Sequence, residues 1–131
     1  MENLILAYLG DAVFELYVRK HLIKQGFANV NDLQTKSLDY IKATSQRKIL
    51  ENLIDKNILT EEEKDIVRKG RNAQSHRNKT TDVVTYHLST GFECLIGYLY
   101  QNDINRLEEI MEIILWEYAE KMYLEKLIKV K

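Results

Sequence analysis

The chain has 131 residues, of which 45% are hydrophobic and 30% charged, and its 19 basic and 20 acidic side chains leave a net charge of −1. That is the composition of a soluble globular domain long enough to bury a core, which excludes disordered, fibrous and membrane-spanning chains. Proline is absent and glycine occurs only five times, too little punctuation for a sandwich or a barrel, so an all-helical domain is expected.

The first helix is predicted from about Asn3 to Gln25, stopping near Gly26. Between Leu4 and Leu16, ten of thirteen residues are apolar, the exceptions being Gly10, Asp11 and Glu15. A helix apolar on most sides is expected to be buried on most sides. An unpaired carboxylate there would cost on the order of several kcal/mol. Asp11 therefore needs a Lys or Arg, a metal or a hydrogen-bond donor, unless it sits at an exposed edge. Gly10 and Asp11 also weaken the helix they stand in, Gly by about 1 kcal/mol relative to Ala. Glu15 shares the face of Asp11 and stands four residues before Arg19, the spacing of a helical ion pair. The run contains acids and lacks a basic leader and a small-residue cleavage site, so it reads as the start of the fold rather than as a signal peptide or a membrane span.

A second helix is predicted from Asn31 or Asp32, both good N-caps. A third runs from Ser45 to about Lys56, with Ile49, Leu50, Leu53 and Ile54 as its apolar face. In LTEEEKDIVRKG, Thr60 with Glu63 three residues on forms a capping box, and the helix it opens is expected to end at Gly70. From Ile66 to Thr81 come Arg68, Lys69, Arg71, Arg77 and Lys79, with His76 and no acid, an island of positive charge in a chain that is otherwise acidic. Its centre, GRNAQSHRNKTT, has turn-forming residues and no apolar periodicity, which predicts a loop of roughly ten residues. Such a loop is either plain solvated surface or a phosphate-binding one, since Arg and Lys supply the salt-dependent part of nucleic-acid affinity.

The fifth helix is predicted from Thr81 or Asp82 to about Gln101, and within it Glu93 interrupts a run otherwise apolar from Gly91 to Tyr100. Gly97 lies one turn after Glu93, as Ala7 lies one turn before Asp11, so small residues beside each acid allow two helix backbones to approach. Two carboxylates brought together in a low-dielectric cleft repel, and one stays protonated unless a divalent cation neutralises both. Mg²⁺ is the cation this chemistry suggests, since it takes carboxylate oxygens, keeps waters and shares its shell with phosphate. Beside a basic loop it points to phosphodiester hydrolysis. Pairing of Glu93 with His87, His21 or Arg19 is the alternative. Cys94 is the single cysteine, which rules out an internal disulfide and a cysteine-based zinc site and fits a reducing compartment, the cytoplasm. A last long helix is predicted from about Asp103, apolar at positions 104, 107, 111, 114 and 118. His21, His76 and His87 form no metal-ligand pattern. Neither an internal repeat nor a second domain is found, so one domain is expected over residues 1–131.

LAYLGDAVFELYVRKHL, Leu6 to Leu22, resembles the ribonuclease III motif built around Leu-Gly-Asp and a small residue. STGFECLIGYLY, Ser89 to Tyr100, resembles that family's second motif, in which Glu, a small residue and Leu-Ile-Gly follow one another. RKGRNA and TTDVVTYHLSTGFECLIGYL are more specifically similar to Mini-III, the short bacterial members that keep the catalytic domain and lack a double-stranded-RNA-binding domain. The resemblance covers almost the whole chain. It implies an all-α, ribonuclease III-like endonuclease domain with Asp11 and Glu93 as the catalytic acids that hold Mg²⁺. It also implies a homodimer in which each site cuts one strand of an RNA duplex, leaving 5′ phosphates, 3′ hydroxyls and short 3′ overhangs. The implied substrate is the 23S ribosomal RNA precursor, with or without a ribosomal protein that shapes it. Tyr8 stands where the larger enzymes insert an aromatic ring into the other subunit, which implies a dimer contact, ordinary core packing being the alternative. Arg68, Lys69, Arg71, Arg77 and Lys79 would grip the RNA backbone. Two further acids of ordinary ribonuclease III fall on Leu4 and Thr90, neither of which binds metal as a carboxylate does. Thr90, one turn before Glu93, is a candidate contact to a metal-bound water. The rival readings are a non-catalytic ribonuclease III-like RNA-binding or ribosome-associated module, and a helical adaptor that presents its last helix to a protein.

Overall fold

In the computed structural model, which describes residues 1–73 and 82–130, six helices follow one another: α1 Asn3–Lys24, α2 Val30–Ile41, α3 Ala43–Asp55, α4 Glu61–Asn72, α5 Val83–Asn102 and α6 Ile104–Val130. No strand occurs among the described residues, so the all-helical expectation holds. Most boundaries follow local chemistry. The Thr60–Glu63 capping box opens α4 as expected, Asp82 caps α5 by accepting from the Thr85 amide at 2.9 Å, and α1 gives out before Gly26, whose φ of +96° suits glycine.

Three boundaries differ from the sequence reading, the simplest being that α3 begins at Ala43, two residues before Ser45. The cap of α2 is Asn29, whose side chain accepts from the Asn31 amide at 2.8 Å and the Asp32 amide at 3.3 Å. Asn31 and Asp32 themselves occupy the first turn, where the charge of Asp32 suits the helix N-terminus. Helix α4 continues through Gly70 to Asn72. Gly70 is there for packing and not as a stop, because a Cβ on it would lie 2.6 Å from the Cβ of Cys94 in α5. Arg71 is therefore helical; His76, Arg77 and Lys79 lie outside the described residues.

Helix α5 runs through the centre of the molecule. Its buried residues, Ser89 to Phe92, Cys94 to Gly97 and Leu99 among them, face every direction, and α1, α3, α4 and α6 pack around it. The closest approach is to α1. A Cβ at Gly10 would fall 1.7 Å from the Glu93 carbonyl oxygen, and one at Gly97 would fall 2.0 Å from that of Leu6. Leu6 thus meets Gly97 while Gly10 meets Glu93, so the two helices run antiparallel with their backbones in contact. One turn along, the rings of Phe14 and Phe92 meet edge to face, 5.0 Å between centroids.

The expectation that α1 is buried on most sides is corrected. Leu6, Val13, Phe14, Val18 and Leu22 enter the core, but Ile5, Tyr8 and Leu16 are 51%, 83% and 54% exposed, because the neighbouring helices occupy one flank only. At the other end of the chain, Leu107, Ile110, Met111, Ile114 and Leu115 of α6 join the core. Arg106 fastens that helix in place. Its Nε and Nη2 donate to the buried Glu63 carboxylate at 2.8 and 2.9 Å, and Nη2 also donates to the Ile58 carbonyl at 2.8 Å. Burial pushes the Glu63 carboxyl up, but hydrogen bonds from Arg106 and the Thr60 backbone outweigh it and hold the group below the ordinary value.

Two outcomes follow. Gly97→Ala must push the backbones of α1 and α5 apart and is expected to lower stability by about 3 kcal/mol in urea unfolding. Arg106→Ala strands the Glu63 charge and is expected to cost about 3 kcal/mol at neutral pH. The wild-type contribution is full above the free Glu value of about 4.3 and is lost as pH falls through the lowered value of folded Glu63. The gap between the two proteins should therefore narrow in acid.

Candidate active site

The crossing of α1 and α5 decides where two acids go. Asp11 follows Gly10, Glu93 stands one turn before Gly97, and their carboxyl groups come within hydrogen-bonding reach. Asp11 stays exposed, which sets aside a buried cation partner for it, whereas Glu93 is half-buried. Burial first, then the hydrogen bond and the charge of Asp11, push the Glu93 carboxyl up to about 9, while a hydrogen bond from Gln46 acts in the opposite sense. At neutral pH Glu93 accordingly keeps its proton.

A divalent cation in place of that proton would satisfy both groups. The donors are hard oxygens, one of them open to solvent, which matches an ion that takes one or two carboxylates and fills its shell with waters and phosphate. No group of three or more His, Cys, Asp and Glu side chains that could hold a metal occurs among the described residues, so this is not a closed protein cage. Mg²⁺ fits this donor set better than structural Zn²⁺. The other partners weighed for Glu93 are placed elsewhere. Arg19 pairs with Glu15 at 3.0 Å, as the spacing predicts. His21 packs on Tyr40 and His87 on Tyr86.

Thr90 is buried one turn before Glu93, and its hydroxyl donates to the Tyr86 carbonyl at 3.0 Å. Only its lone pairs remain for a water. Leu4 is half-buried, two turns before Asp11. Tyr8, one turn before Asp11, projects from the surface and is not a core residue. Arg68 and Lys69 both pair with Asp65 one turn earlier on α4, so the basic island is partly neutralised by an acid just outside it. Arg71 is exposed on the last turn of the same helix. Lys69 also lines a groove of about 450 Å³ with Asn3, Tyr98 and Gln101, which contains neither acid.

Gln46 is the residue that sequence reasoning passed over. Its signal is of the same kind as that of the two acids. It precedes Ile49, Leu50 and Leu53 by three, four and seven residues, so it occupies an apolar-face position of α3, and it is 2% exposed.

A profile of the Ribonuclease III domain matches residues 4–103. A Mini-ribonuclease 3 of Symbiobacterium thermophilum is 48% identical over 111 residues, covering 83% of this chain and 84% of that one. A Mini-ribonuclease 3 of Streptococcus pneumoniae is 38% identical over 117 residues, covering 88% and 90% respectively. A crystal structure of a protein from Fusobacterium nucleatum superposes with a TM-score of 0.78 at 28% identity, covering 90% of this chain and 94% of that one. With both motif acids brought together on that fold, the chain belongs to the ribonuclease III family of endoribonucleases, within its Mini-ribonuclease 3 group.

Proposed function

We propose that this chain is a Mg²⁺-dependent endoribonuclease, with residues 1–131 forming one catalytic domain, that cuts double-stranded RNA as a homodimer with one site per strand. The observation that carries the reading is the meeting of Asp11 and Glu93 on α1 and α5. A protein that only bound RNA would gain stability by replacing a half-buried acid that must hold a proton, which argues against the non-catalytic alternative. Asp11 and Glu93 are the metal-holding catalytic acids. A bound Mg²⁺ supplies Lewis-acid stabilisation of the charge that develops on the scissile phosphodiester. Asp11 offers its carboxylate at the surface, and Glu93, set deeper, releases its proton when it ionises. In the hydrolysis, the oxygen of water bonds to phosphorus and the bond to the ribose O3′ breaks, with a proton passing to O3′. The products are a 5′ phosphate and a 3′ hydroxyl.

The exposed stripe of Ile5, Tyr8 and Leu16 supports the dimer. Tyr8 is one turn from Asp11, so pairing through this face puts each acid pair beside the interface. Two sites related by a two-fold axis suit an A-form duplex, which is read by shape and phosphates more than by sequence. Arg68, Lys69, Arg71, Arg77 and Lys79 are assigned to the RNA backbone, and Thr90 to the second layer around the metal. The 23S ribosomal RNA precursor as substrate, with or without a ribosomal protein that shapes it, rests on the similarity to Mini-ribonuclease 3. No described helix is long and apolar enough to cross a membrane, and the buried free Cys94 suits a reducing compartment. A cytoplasmic site of action follows from that reading.

An end-labelled duplex containing a ribosomal precursor stem tests the function. Staggered cuts are expected with Mg²⁺ and none with chelator, and Asp11→Asn and Glu93→Gln should each lose more than about 100-fold, beyond what outer-layer residues typically contribute. Binding without cutting, unchanged in both variants, would establish the RNA-binding module instead. Tyr8→Lys is expected to shift the protein toward the monomer in light scattering and to lower cleavage. In metal-free buffer, wild type is expected to lose stability as pH rises from about 4.3 toward the raised Glu93 value of about 9, because only the unfolded chain ionises over that range. Glu93→Gln, neutral throughout, should escape that loss, so its urea midpoint should exceed that of wild type increasingly with pH.

A further inference from the structure

Gln46 is polar, close to the acids and still without a role. It is buried in the apolar face that Ile49, Leu50 and Leu53 continue along α3. A primary amide in such a place weakens the fold unless its hydrogen-bonding groups are met. Its Nε2 donates to the Ile41 carbonyl at 3.2 Å, in the last turn of α2, where helix geometry leaves carbonyls without partners. Its other polar neighbour is the Glu93 carboxyl, which the same amide steadies in its charged form. The amide group has two N–H donors, so with one given to Ile41 the other is available to Glu93. Anchored at Ile41, the amide plane cannot swing freely, and the Glu93 carboxyl bound to it is fixed in turn.

We propose that Gln46 is the positioning residue of the site: pinned to Ile41, its amide holds the Glu93 carboxyl against Asp11 so that the two acids face one divalent cation together. This rests on the reading of the pair as a metal site. The residue type suits the task. A Glu here would add a third carboxyl to the pair, and a Lys would neutralise it and compete with the cation. A neutral donor steadies the carboxylate and leaves its charge for the metal.

The full-length protein with Gln46→Met, which keeps the side-chain length and removes both N–H groups, tests the proposal beside wild type and Glu93→Gln. Mn²⁺ binding to the RNA-free protein is read by electron paramagnetic resonance, and kcat and KM are measured on an RNA duplex at fixed Mg²⁺. The expected result is Mn²⁺ affinity about 10-fold weaker and kcat lower by about 10-fold, with KM for RNA nearly unchanged and some of the loss recovered at higher Mg²⁺. Wild-type Mn²⁺ affinity and kcat in Gln46→Met would overturn it and leave Gln46 as a cap on α2. Glu93→Gln binding Mn²⁺ as wild type does would overturn the metal-site reading itself, without reference to Gln46. If Gln46→Met does not fold, the side-chain amide resonances of Gln46 are compared by NMR between wild type and Glu93→Gln. A clear shift is expected, and coincident resonances would overturn the proposal.

Discussion

Packed helices ordinarily keep their axes about 8–10 Å apart because side chains stand between them. At Gly10 and Gly97 neither helix has one, and the backbones of α1 and α5 touch. That contact fixes the distance between the helices, their antiparallel direction and their rotation about one another. Asp11 and Glu93 sit on its border, and their meeting is a consequence of it. A second close approach, of Gly70 on α4 to Cys94 and Gly91 on α5, holds α5 from another side. The central helix is thereby clamped where it carries its acid.

The chemistry of the site works against the stability of the fold that supports it. Asp11, Glu93 and Gln46 each occupy a place in or beside an apolar run, and without a cation Glu93 keeps its proton. Such arrangements persist where the group is needed charged during function. The Arg106–Glu63 pair shows the contrast. It is also a partly buried ion pair, but its charges balance, four hydrogen bonds hold the guanidinium, and it joins α6 to the start of α4. One constellation is satisfied by the protein alone; the other, on the function proposed above, is completed by a divalent cation.

The acids were legible in the sequence because each interrupts a long apolar run, and a small residue one turn from each, Ala7 and Gly97, pointed to close backbone approach; Gly10, which makes the contact with Glu93, read only as a weak point of its helix. Gln46 follows the same logic but stands at the edge of its helix's apolar face, after Ser45 and before Arg47 and Lys48, where a polar residue raises no alarm. The α2 cap was misplaced because Asn29, Asn31 and Asp32 are all good caps and only the backbone decides among them. Gly70 read as a stop because a helical glycine used for packing looks the same in sequence as one used for termination. The burial of α1 was overestimated for a different reason: Ile5, Tyr8 and Leu16 are as apolar as the residues of the core flank, and nothing among the described residues covers them.

Cys94 gives the clamp a use of another kind. It follows Glu93 directly, is fully buried, and closes against Gly70 on α4, with its sulfur 3.9 Å from the Asn3 side chain on α1. As the single thiol of the chain, it can react with a disulfide reagent only when α1, α4 and α5 separate. The rate of its modification is therefore a clock for the opening of the helices around the acids. No label need be introduced to read it.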